Sequence, residues 1–167
     1  MPAFSLSLGS SVGARETHLL AALRLLEEAG LRISRFSSVY ETEPVGEAAG
    51  PGWFLNIAAV GETDLAPREV IDICLRTERS LGRERALPGG PRTIDIDLLL
   101  MGGSVVSEPG CEVPHPRLHR RRFVLAPLAE IAPGARHPLL GLAIEELLAR
   151  LADPSRVVRV GALRGAA

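Results

Sequence analysis

The order of strand-like and helix-like segments along the chain constrains the fold more than any other feature of the sequence. Segments with alternating apolar residues, or with β-branched and aromatic residues, predict strands, and an apolar stripe at helical spacing predicts a helix. In chain order the first six segments are strand 4–8, helix 16–29, strand 33–40, strand 53–63, helix 65–81 and strand 93–101. This β-α-β-β-α-β order predicts a ferredoxin-like α+β domain, in which an antiparallel sheet carries both helices on one face.

The remainder of the chain adds smaller elements to this core. We expect a short strand at 105–106, C-terminal helices at 120–131 and 144–151, and a last strand at 156–160. The second helix of the core is predicted to bury a face formed by Val70, Ile71, Cys74, Leu75 and Leu81. The length of 167 residues fits a single domain, 1–167, in which about 154–167 form a tail of unassigned role. Because this fold carries enzymes, RNA binders and regulatory modules alike, function has to be argued from individual residues.

Lysine is absent from the chain, since all 19 basic residues are arginine. This excludes mechanisms that need a lysine, such as those of P-loop kinases, Schiff-base enzymes and Ser-Lys hydrolases. A net charge of −1 gives no overall field that would recruit nucleic acid or an anionic membrane. The chain has two cysteines and no apolar run of about 18 residues, so we expect a cytoplasmic protein without a disulfide framework or a membrane span.

Two carboxylates stand on the last strand of the predicted core. Side chains alternate along a strand, so Asp95 and Asp97 point to one face while Ile94 and Ile96 point to the other. The carboxylates would then lie about 6–7 Å apart. At an effective dielectric constant near 20, two such charges repel by roughly 2–3 kcal/mol. A hard divalent cation such as Mg²⁺, completed by oxygens of a bound ATP, would compensate this repulsion. The alternative is a solvated strand face that happens to carry two acids.

Arginines flank this carboxylate pair in the sequence. Arg83 and Arg85 lie in a charged, glycine-rich segment that Arg92 ends. A second cluster at 115–122 has four arginines and no acidic residue. Arginines on both sides of a metal-binding pair are typical of a polyanion held between metal and guanidinium groups. A solvated helix end or an RNA-binding patch would explain the second cluster equally well.

Aromatic residues make up only 4% of the chain, so their positions are informative. Alternation puts Phe54 and Asn56 on one strand face, and Phe123 follows the second arginine cluster. A flat apolar ring beside a hydrogen-bonding amide suits a planar heterocycle. Both phenylalanines could instead be core residues.

The turn at 9–13 matches the Gly-x-Ser-x-Gly pattern of a hydrolase nucleophile elbow. Such an elbow needs several strands and an oxyanion-hole segment before it, whereas this turn follows the first strand. We therefore interpret it as a tight turn near a ligand.

Several motifs occur in a fixed order along the chain. They are Leu8-Gly9-Ser10, Val39-Tyr40-Glu41-Thr42-Glu43-Pro44-Val45-Gly46, Phe54-Leu55-Asn56, Glu78, Gly82-Arg83, Gly90-Pro91-Arg92-Thr93-Ile94-Asp95-Ile96-Asp97, and the segments 113–118 and 121–128. With them the chain resembles, over roughly residues 4–150, the 6-hydroxymethyl-7,8-dihydropterin pyrophosphokinases of folate biosynthesis.

The resemblance implies transfer of pyrophosphate from ATP to the hydroxymethyl oxygen of the pterin, leaving AMP. It implies that Asp95 and Asp97 hold two Mg²⁺ ions. The catalytic residues that it implies are these two aspartates together with Arg83 and Arg92. The residues implied in ATP binding are Glu78, Arg85, Arg92, His115 and Arg121. The residues implied in pterin binding are Thr42, Pro44, Val45, Phe54, Asn56 and Phe123. The protein is expected to act as a monomer on these two substrates, without a nucleic-acid or membrane partner.

A binding module for RNA or a small effector is the alternative from a different functional class, with arginines 117–122 as its contact surface. The strands lack the aromatic-rich pattern of an RNA-binding sheet, and the net charge is not basic. The sequence therefore favours the enzyme.

Overall fold

The structure, a computed structural model, describes residues 1–11, 13–43, 53–82 and 94–163. The strands are β1 (Ala3–Ser10), β2 (Arg32–Phe36), β3 (Val39–Thr42), β4 (Phe54–Glu62), β5 (Asp95–Met101), β6 (Val106–Glu108), β7 (Cys111–Val113) and β8 (Val157–Gly161). The helices are α1 (Arg15–Glu28), α2 (Pro67–Ser80), α3 (Arg122–Ile131) and α4 (Ile144–Arg150), and a 3₁₀ turn at Leu118–Arg120 precedes α3. The observed order agrees with the predicted order, with two differences: the segment 33–40 is divided into β2 and β3, and β7 was not predicted.

Within the described residues, six strands form one sheet in the order β5-β1-β4-β3-β8, with β2 also paired to β4. All of its pairings are antiparallel, as the sequence predicts. β5 and β8 lie at opposite ends of this order, and β6 and β7 form a separate two-stranded ribbon. The first and last strands of the predicted core, β1 and β5, are therefore neighbours.

Helices cover both faces of the sheet. α1 and α2 pack on one face, where Phe4, Leu6 and Leu8 of β1 are buried. α3 and α4 pack on the opposite face, over Ala58 and Val60 of β4. The C-terminal helices are therefore not peripheral additions, because they bury the second face of the sheet and remove its apolar side chains from water.

A β-bulge near the end of β5 changes which residues face each helix layer. Ser5 and Leu6 of β1 lie opposite Leu100 and Leu98, so Leu99 is the extra residue on β5. Leu98 consequently packs in the α1–α2 layer, whereas Leu99 and Leu100 pack in the α3–α4 layer. The residues that precede the bulge keep strict alternation, which matters for the two aspartates.

The division between β2 and β3 is explained by a serine that takes part in the strand ladder. The backbone N–H of Ser37 donates to the Ala58 carbonyl at 2.8 Å, and the Ser37 hydroxyl accepts from the Ala58 N–H at 2.9 Å. A side-chain oxygen thus replaces a backbone acceptor, and the chain pairs with β4 on both sides of this point.

The buried face of α2 differs in part from the prediction. Val70, Ile73 and Cys74 are buried, but Leu75 is 45% exposed. Ile71 and Leu81 are partly buried and pack against the core, as predicted. Leu75 lines an open cleft beside β5, and Ile71 also borders this cleft. The apolar stripe of this helix therefore serves both the core and a cleft wall.

The C-terminal segment forms a strand of the main sheet, as expected for 156–160. β8 pairs with β3 from Val157 opposite Thr42 to Gly161 opposite Val39. Among the residues that the structure describes, no helix is long and apolar enough to cross a membrane.

Candidate active site

Two acidic side chains and an amide lie side by side on the face of the sheet that α3 and α4 cover. Asp97 of β5 lies opposite Ser7 of β1, and Asp95 lies opposite Gly9. Gly9 in turn lies opposite Asn56 of β4. Opposed residues in an antiparallel pair share a face, so Asp95, Gly9 and Asn56 form one row. Strands are about 4.8 Å apart, which puts the backbones of Asp95 and Asn56 about 10 Å from each other.

The glycine in this row provides space for the amide. A Cβ atom on Gly9 would lie 2.6 Å from Asn56 Oδ1 and 3.6 Å from Phe54 Cδ1. The Gly9 backbone is not in the left-handed region, so the requirement for glycine is steric. Asn56 Nδ2 also donates to Thr42 Oγ1 at 2.7 Å, and both residues are buried. The packing and the hydrogen bond together fix the amide, which can present its remaining hydrogen-bonding capacity to a ligand.

An open cleft of about 500 Å³ lies on the outer side of β5. Its polar lining brings together side chains from α2, β5, β7 and the segment before α3, namely Glu78, Asp95, Asp97, Glu112, His115, Arg117 and Arg121. Its apolar lining includes Ile71, Cys74 and Leu75 of α2. Carboxylates, guanidinium groups and an apolar wall in one cleft suit a ligand that carries phosphates on one part and an apolar ring on another.

Glu78 fixes the strand that carries the aspartates. Its side chain is 3% exposed, and Oε2 accepts a hydrogen bond of 2.7 Å from the backbone N–H of Ile96, between Asp95 and Asp97. This bond ties α2 to the edge of β5. Burial, with contributions from the charges of Glu78 and Asp97, raises the pKa of the Cys74 thiol to about 12. Cys74 therefore stays protonated at neutral pH and is not a nucleophile.

His115 is neutral in this environment. Burial lowers its pKa to about 4, helped by the charges of Arg121 and Arg117 and opposed by Asp95. Its Nδ1 accepts from the Arg117 N–H at 3.1 Å, which leaves Nε2 as the N–H donor. The His115 backbone N–H donates to the carbonyl of Leu99, the bulge residue, at 2.9 Å. The bulge in β5 thus anchors the segment that carries His115 beside the cleft.

Arg121 connects the cleft with the start of α3. Burial lowers the pKa of its guanidinium, as does Arg117, and Asp97 and Asp95 oppose this shift. The guanidinium carbon lies 5.5 Å from the centre of the Phe123 ring. Arg121 therefore contacts both the acidic cleft and an aromatic ring that the family resemblance implies in pterin binding.

The donor set in the cleft fits Mg²⁺. Within the described ranges no group of three or more histidine, cysteine, aspartate and glutamate side chains could hold a metal ion alone. Mg²⁺ is commonly bound by one or two carboxylates, with substrate phosphates and waters completing its octahedron. Asp95 and Asp97, on one face and in one cleft, match that pattern.

The structure assembles one group of the predicted residues and leaves others untested. Glu78, Asp95, Asp97, His115 and Arg121 line the cleft. Thr42, Phe54 and Asn56 lie on neighbouring strands β3 and β4, and Phe123 lies in the first turn of α3. Five further predicted residues lie outside the described residues: Pro44, Val45, Arg83, Arg85 and Arg92.

Two contributors were missed in the sequence. Gly9 was interpreted only as part of a turn, because its role depends on lying opposite Asn56 across two strands. Asp153, which bonds to the first residue of α3, lies far from the motifs in sequence. The sequence shows an aspartate shortly before the last strand, but no nearby residue indicates that Asp153 contacts Arg122.

Comparison with known proteins identifies the family to which this chain is similar. The family model described as 7,8-dihydro-6-hydroxymethylpterin-pyrophosphokinase (HPPK) matches residues 5–133. A 2-amino-4-hydroxy-6-hydroxymethyldihydropteridine pyrophosphokinase of Bacillus subtilis is 44% identical over 127 residues, 75% of each chain. The protein of the same name from Methylorubrum extorquens is 41% identical over 156 residues, 93% of this chain and 96% of the relative.

Similarity to solved structures extends over most of the chain. The crystal structure of wild-type Plasmodium falciparum HPPK-DHPS superposes with a TM-score of 0.65 at 16% sequence identity. The match covers 90% of this chain but 43% of the Plasmodium chain, so this chain spans less than half the length of that protein. At this identity the likeness concerns the fold.

Proposed function

The chain belongs to the 7,8-dihydro-6-hydroxymethylpterin-pyrophosphokinase family, and from this premise we propose that it transfers pyrophosphate from ATP to the hydroxymethyl oxygen of 6-hydroxymethyl-7,8-dihydropterin. The products are AMP and the pterin diphosphate. The curated relatives are named pyrophosphokinases, so the enzyme class is an ATP-dependent diphosphotransferase of folate biosynthesis.

The observation that carries the proposal is the row Asp95–Gly9–Asn56. The acidic end of the row borders the cleft with Glu78, His115 and Arg121. The amide end carries Asn56 and Phe54 on the same face. A span of about 10 Å between the two ends suits an ATP polyphosphate at one end and a bicyclic ring with a short hydroxymethyl arm at the other.

On this proposal the cleft binds ATP. Asp95 and Asp97 hold two Mg²⁺ ions, which neutralise phosphate charge when bound. The Arg121 guanidinium binds phosphate oxygens, and neutral His115 donates a hydrogen bond from Nε2 without adding a further charge. Glu78 holds β5 in place through Ile96. Ile71 and Leu75 provide an apolar wall for the base.

The pterin binds at the amide end of the row. Asn56, fixed by Thr42, hydrogen-bonds the polar edge of the ring, and Phe54 and Phe123 stack on its faces. Arg83, Arg85 and Arg92, together with backbone groups of Pro44 and Val45, complete the two sites as the family resemblance implies. The arginines act as a clamp that closes on the reacting phosphates and excludes water.

The reaction is an in-line displacement. The hydroxymethyl oxygen forms a bond to the β-phosphorus, the bond from that phosphorus to the bridging α–β oxygen breaks, and AMP leaves with that bond's electron pair. The hydroxyl proton passes to solvent. The chain needs no covalent nucleophile for this step, since holding the two substrates in line and neutralising charge supply the catalysis.

Two structural proposals accompany the function. The order β5-β1-β4-β3, with α1 and α2 as crossovers on one face, supports a ferredoxin-like core. We also propose a cytoplasmic enzyme that acts as a monomer, because both ends of the proposed row come from one chain.

An aspartate substitution with a matched control tests the metal assignment. Asp97→Asn should lower Mg²⁺-dependent turnover by at least about a hundredfold, since the transferred group depends on charge neutralisation by the metal. Pterin binding, measured by intrinsic fluorescence, should be unchanged. Asp64 lies between β4 and α2, where its side chain is 80% exposed and lies 4.0 Å from the N-terminal ammonium, so Asp64→Asn should behave as the wild type. Full turnover by Asp97→Asn would remove the metal role from this pair.

A further inference from the structure

The segment after α4 holds the first turn of α3 in place. The backbone N–H of Arg122, the first residue of α3, donates to Asp153 Oδ2 at 3.0 Å. The Arg122 guanidinium also binds this segment. Its Nε and Nη2 donate to the Asp153 carbonyl at 3.3 and 3.1 Å, and Nη2 donates in addition to the Leu151 carbonyl at 3.5 Å. Backbone and side chain of one residue therefore both bind the 151–153 segment.

Asp153 acts as a cap for a helix that lacks one of its own. Arg121 at the N-cap position of α3 has no side-chain capping bond. The Asp153 carboxylate therefore satisfies one of the N–H groups that the helix leaves unpaired, and its charge is favourable at a helix N-terminus. Its other oxygen, Oδ1, accepts from the Ser155 N–H at 2.9 Å. Burial raises the pKa of Asp153, but the hydrogen bonds from Arg122 and Ser155 outweigh it and lower the pKa.

The residues on either side of Arg122 are those that face the ligands. Arg121 lines the cleft with Asp95 and Asp97, and Phe123 lies beside Arg121 with its ring centre 5.5 Å from the guanidinium. A rotation or fraying of this first turn would move both side chains at once. A ligand that binds only the ordered turn loses apparent affinity in proportion to the fraction of molecules in which the turn is ordered.

We propose that Asp153 is a positioning residue for substrate binding, which acts by capping α3 and so orienting Arg121 and Phe123 toward the nucleotide and the pterin. The inference rests on the proposed function for the identity of the two ligands. Asp153 lies beyond residues 5–133, the part that matches the family model. The segment that follows α4 thus contributes to the site, in addition to leading into the edge strand β8.

The test compares Asp153→Ala and Asp153→Asn with a second capping carboxylate. Glu146 lies in the first turn of α4, where its Oε1 accepts from the N–H of the N-cap residue Ala143 at 3.1 Å, and it does not line the cleft. Asp153→Ala should raise KM for both substrates by about threefold to tenfold. Asp153→Asn, which keeps an acceptor oxygen, should recover part of this loss. Glu146→Ala should lower the melting temperature as much as Asp153→Ala does and leave both KM values unchanged.

Hydrogen exchange separates this inference from the proposed function. Amides of 121–124 should exchange faster in Asp153→Ala than in the wild type and at the wild-type rate in Glu146→Ala. Wild-type KM values in Asp153→Ala, or unchanged exchange at 121–124, would overturn the positioning role. A wild-type protein that makes no pterin diphosphate would overturn the proposed function instead, and the exchange rates would still decide whether Asp153 orders this turn.

Discussion

Replacing Gly9 with alanine should weaken pterin binding and leave nucleotide binding unchanged. The new Cβ would lie 2.6 Å from Asn56 Oδ1, a distance that real Cβ contacts do not show. Oδ1 would have to move out to the 3.4 Å at which ordinary contact begins. Because Asn56 is buried and bonded to Thr42, the amide cannot swing away without losing that 2.7 Å hydrogen bond.

The magnitude follows from the two groups that are disturbed. Overpacking a buried site costs about 1–3 kcal/mol, and a neutral hydrogen bond contributes about 0.5–1.5 kcal/mol. If the pterin forms a hydrogen bond with the Asn56 amide in its present position, moving the amide should remove one such hydrogen bond between protein and pterin. A loss of about 1.4 kcal/mol raises the dissociation constant about tenfold. We therefore expect pterin binding about tenfold weaker than in the wild type.

Titration calorimetry with the pterin and with an unreactive ATP analogue would measure both affinities on one sample. Gly134→Ala is the matched control, since a Cβ there meets nothing within 4 Å and the backbone is not in the left-handed region. It should leave both dissociation constants and the melting temperature at wild-type values. Wild-type pterin affinity in Gly9→Ala would refute the reasoning, as would an equal loss of nucleotide affinity.

Three further predictions concern titration and stability. Because burial lowers the pKa of His115 to about 4, its NMR resonances should titrate near pH 4 in the free protein, and titration near 6.5 would contradict the burial argument. Between about pH 6.5 and 4 the unfolded state binds the proton more readily, so the stability due to this group falls as the pH falls. Bound nucleotide phosphates should raise this pKa. Tyr40, the chain's one tyrosine, has its pKa raised to about 12 by burial and by its hydrogen bond to Glu130, so ultraviolet titration should show a lower pKa in Glu130→Gln, and an unchanged value would contradict the role of Glu130. Glu78→Ala should leave the Ile96 N–H unpaired at the edge of β5 and lower the unfolding free energy in urea by about 1–3 kcal/mol, whereas wild-type stability would show that this N–H finds another partner.

The sequence predicted features that depend on local periodicity. The order of the elements followed from helical and strand spacing. The common face of Asp95 and Asp97 followed from alternation, because the bulge at Leu99 lies beyond both residues. Glu78 and His115 were found through the family resemblance, and the structure brings both into the cleft with the aspartates.

Features that depend on pairing between distant segments could not be predicted in this way. Nothing near Gly9 indicates that it lies opposite Asn56, and nothing near Ser37 indicates that its hydroxyl takes a place in the strand ladder. An apolar stripe does not show whether it faces a core or a cleft, which is why Leu75 was misassigned. These properties are set by register and by which elements become neighbours.

The identity of the nucleotide product decides whether the chain transfers pyrophosphate or a single phosphoryl group. The purified protein would be mixed with ATP, Mg²⁺ and 6-hydroxymethyl-7,8-dihydropterin, and the products would be separated by chromatography and examined by phosphorus NMR. We expect one AMP for each pterin diphosphate formed, with no reaction when EDTA removes the metal. ADP with a pterin monophosphate would show attack at the γ-phosphorus and would contradict the pyrophosphate transfer proposed here.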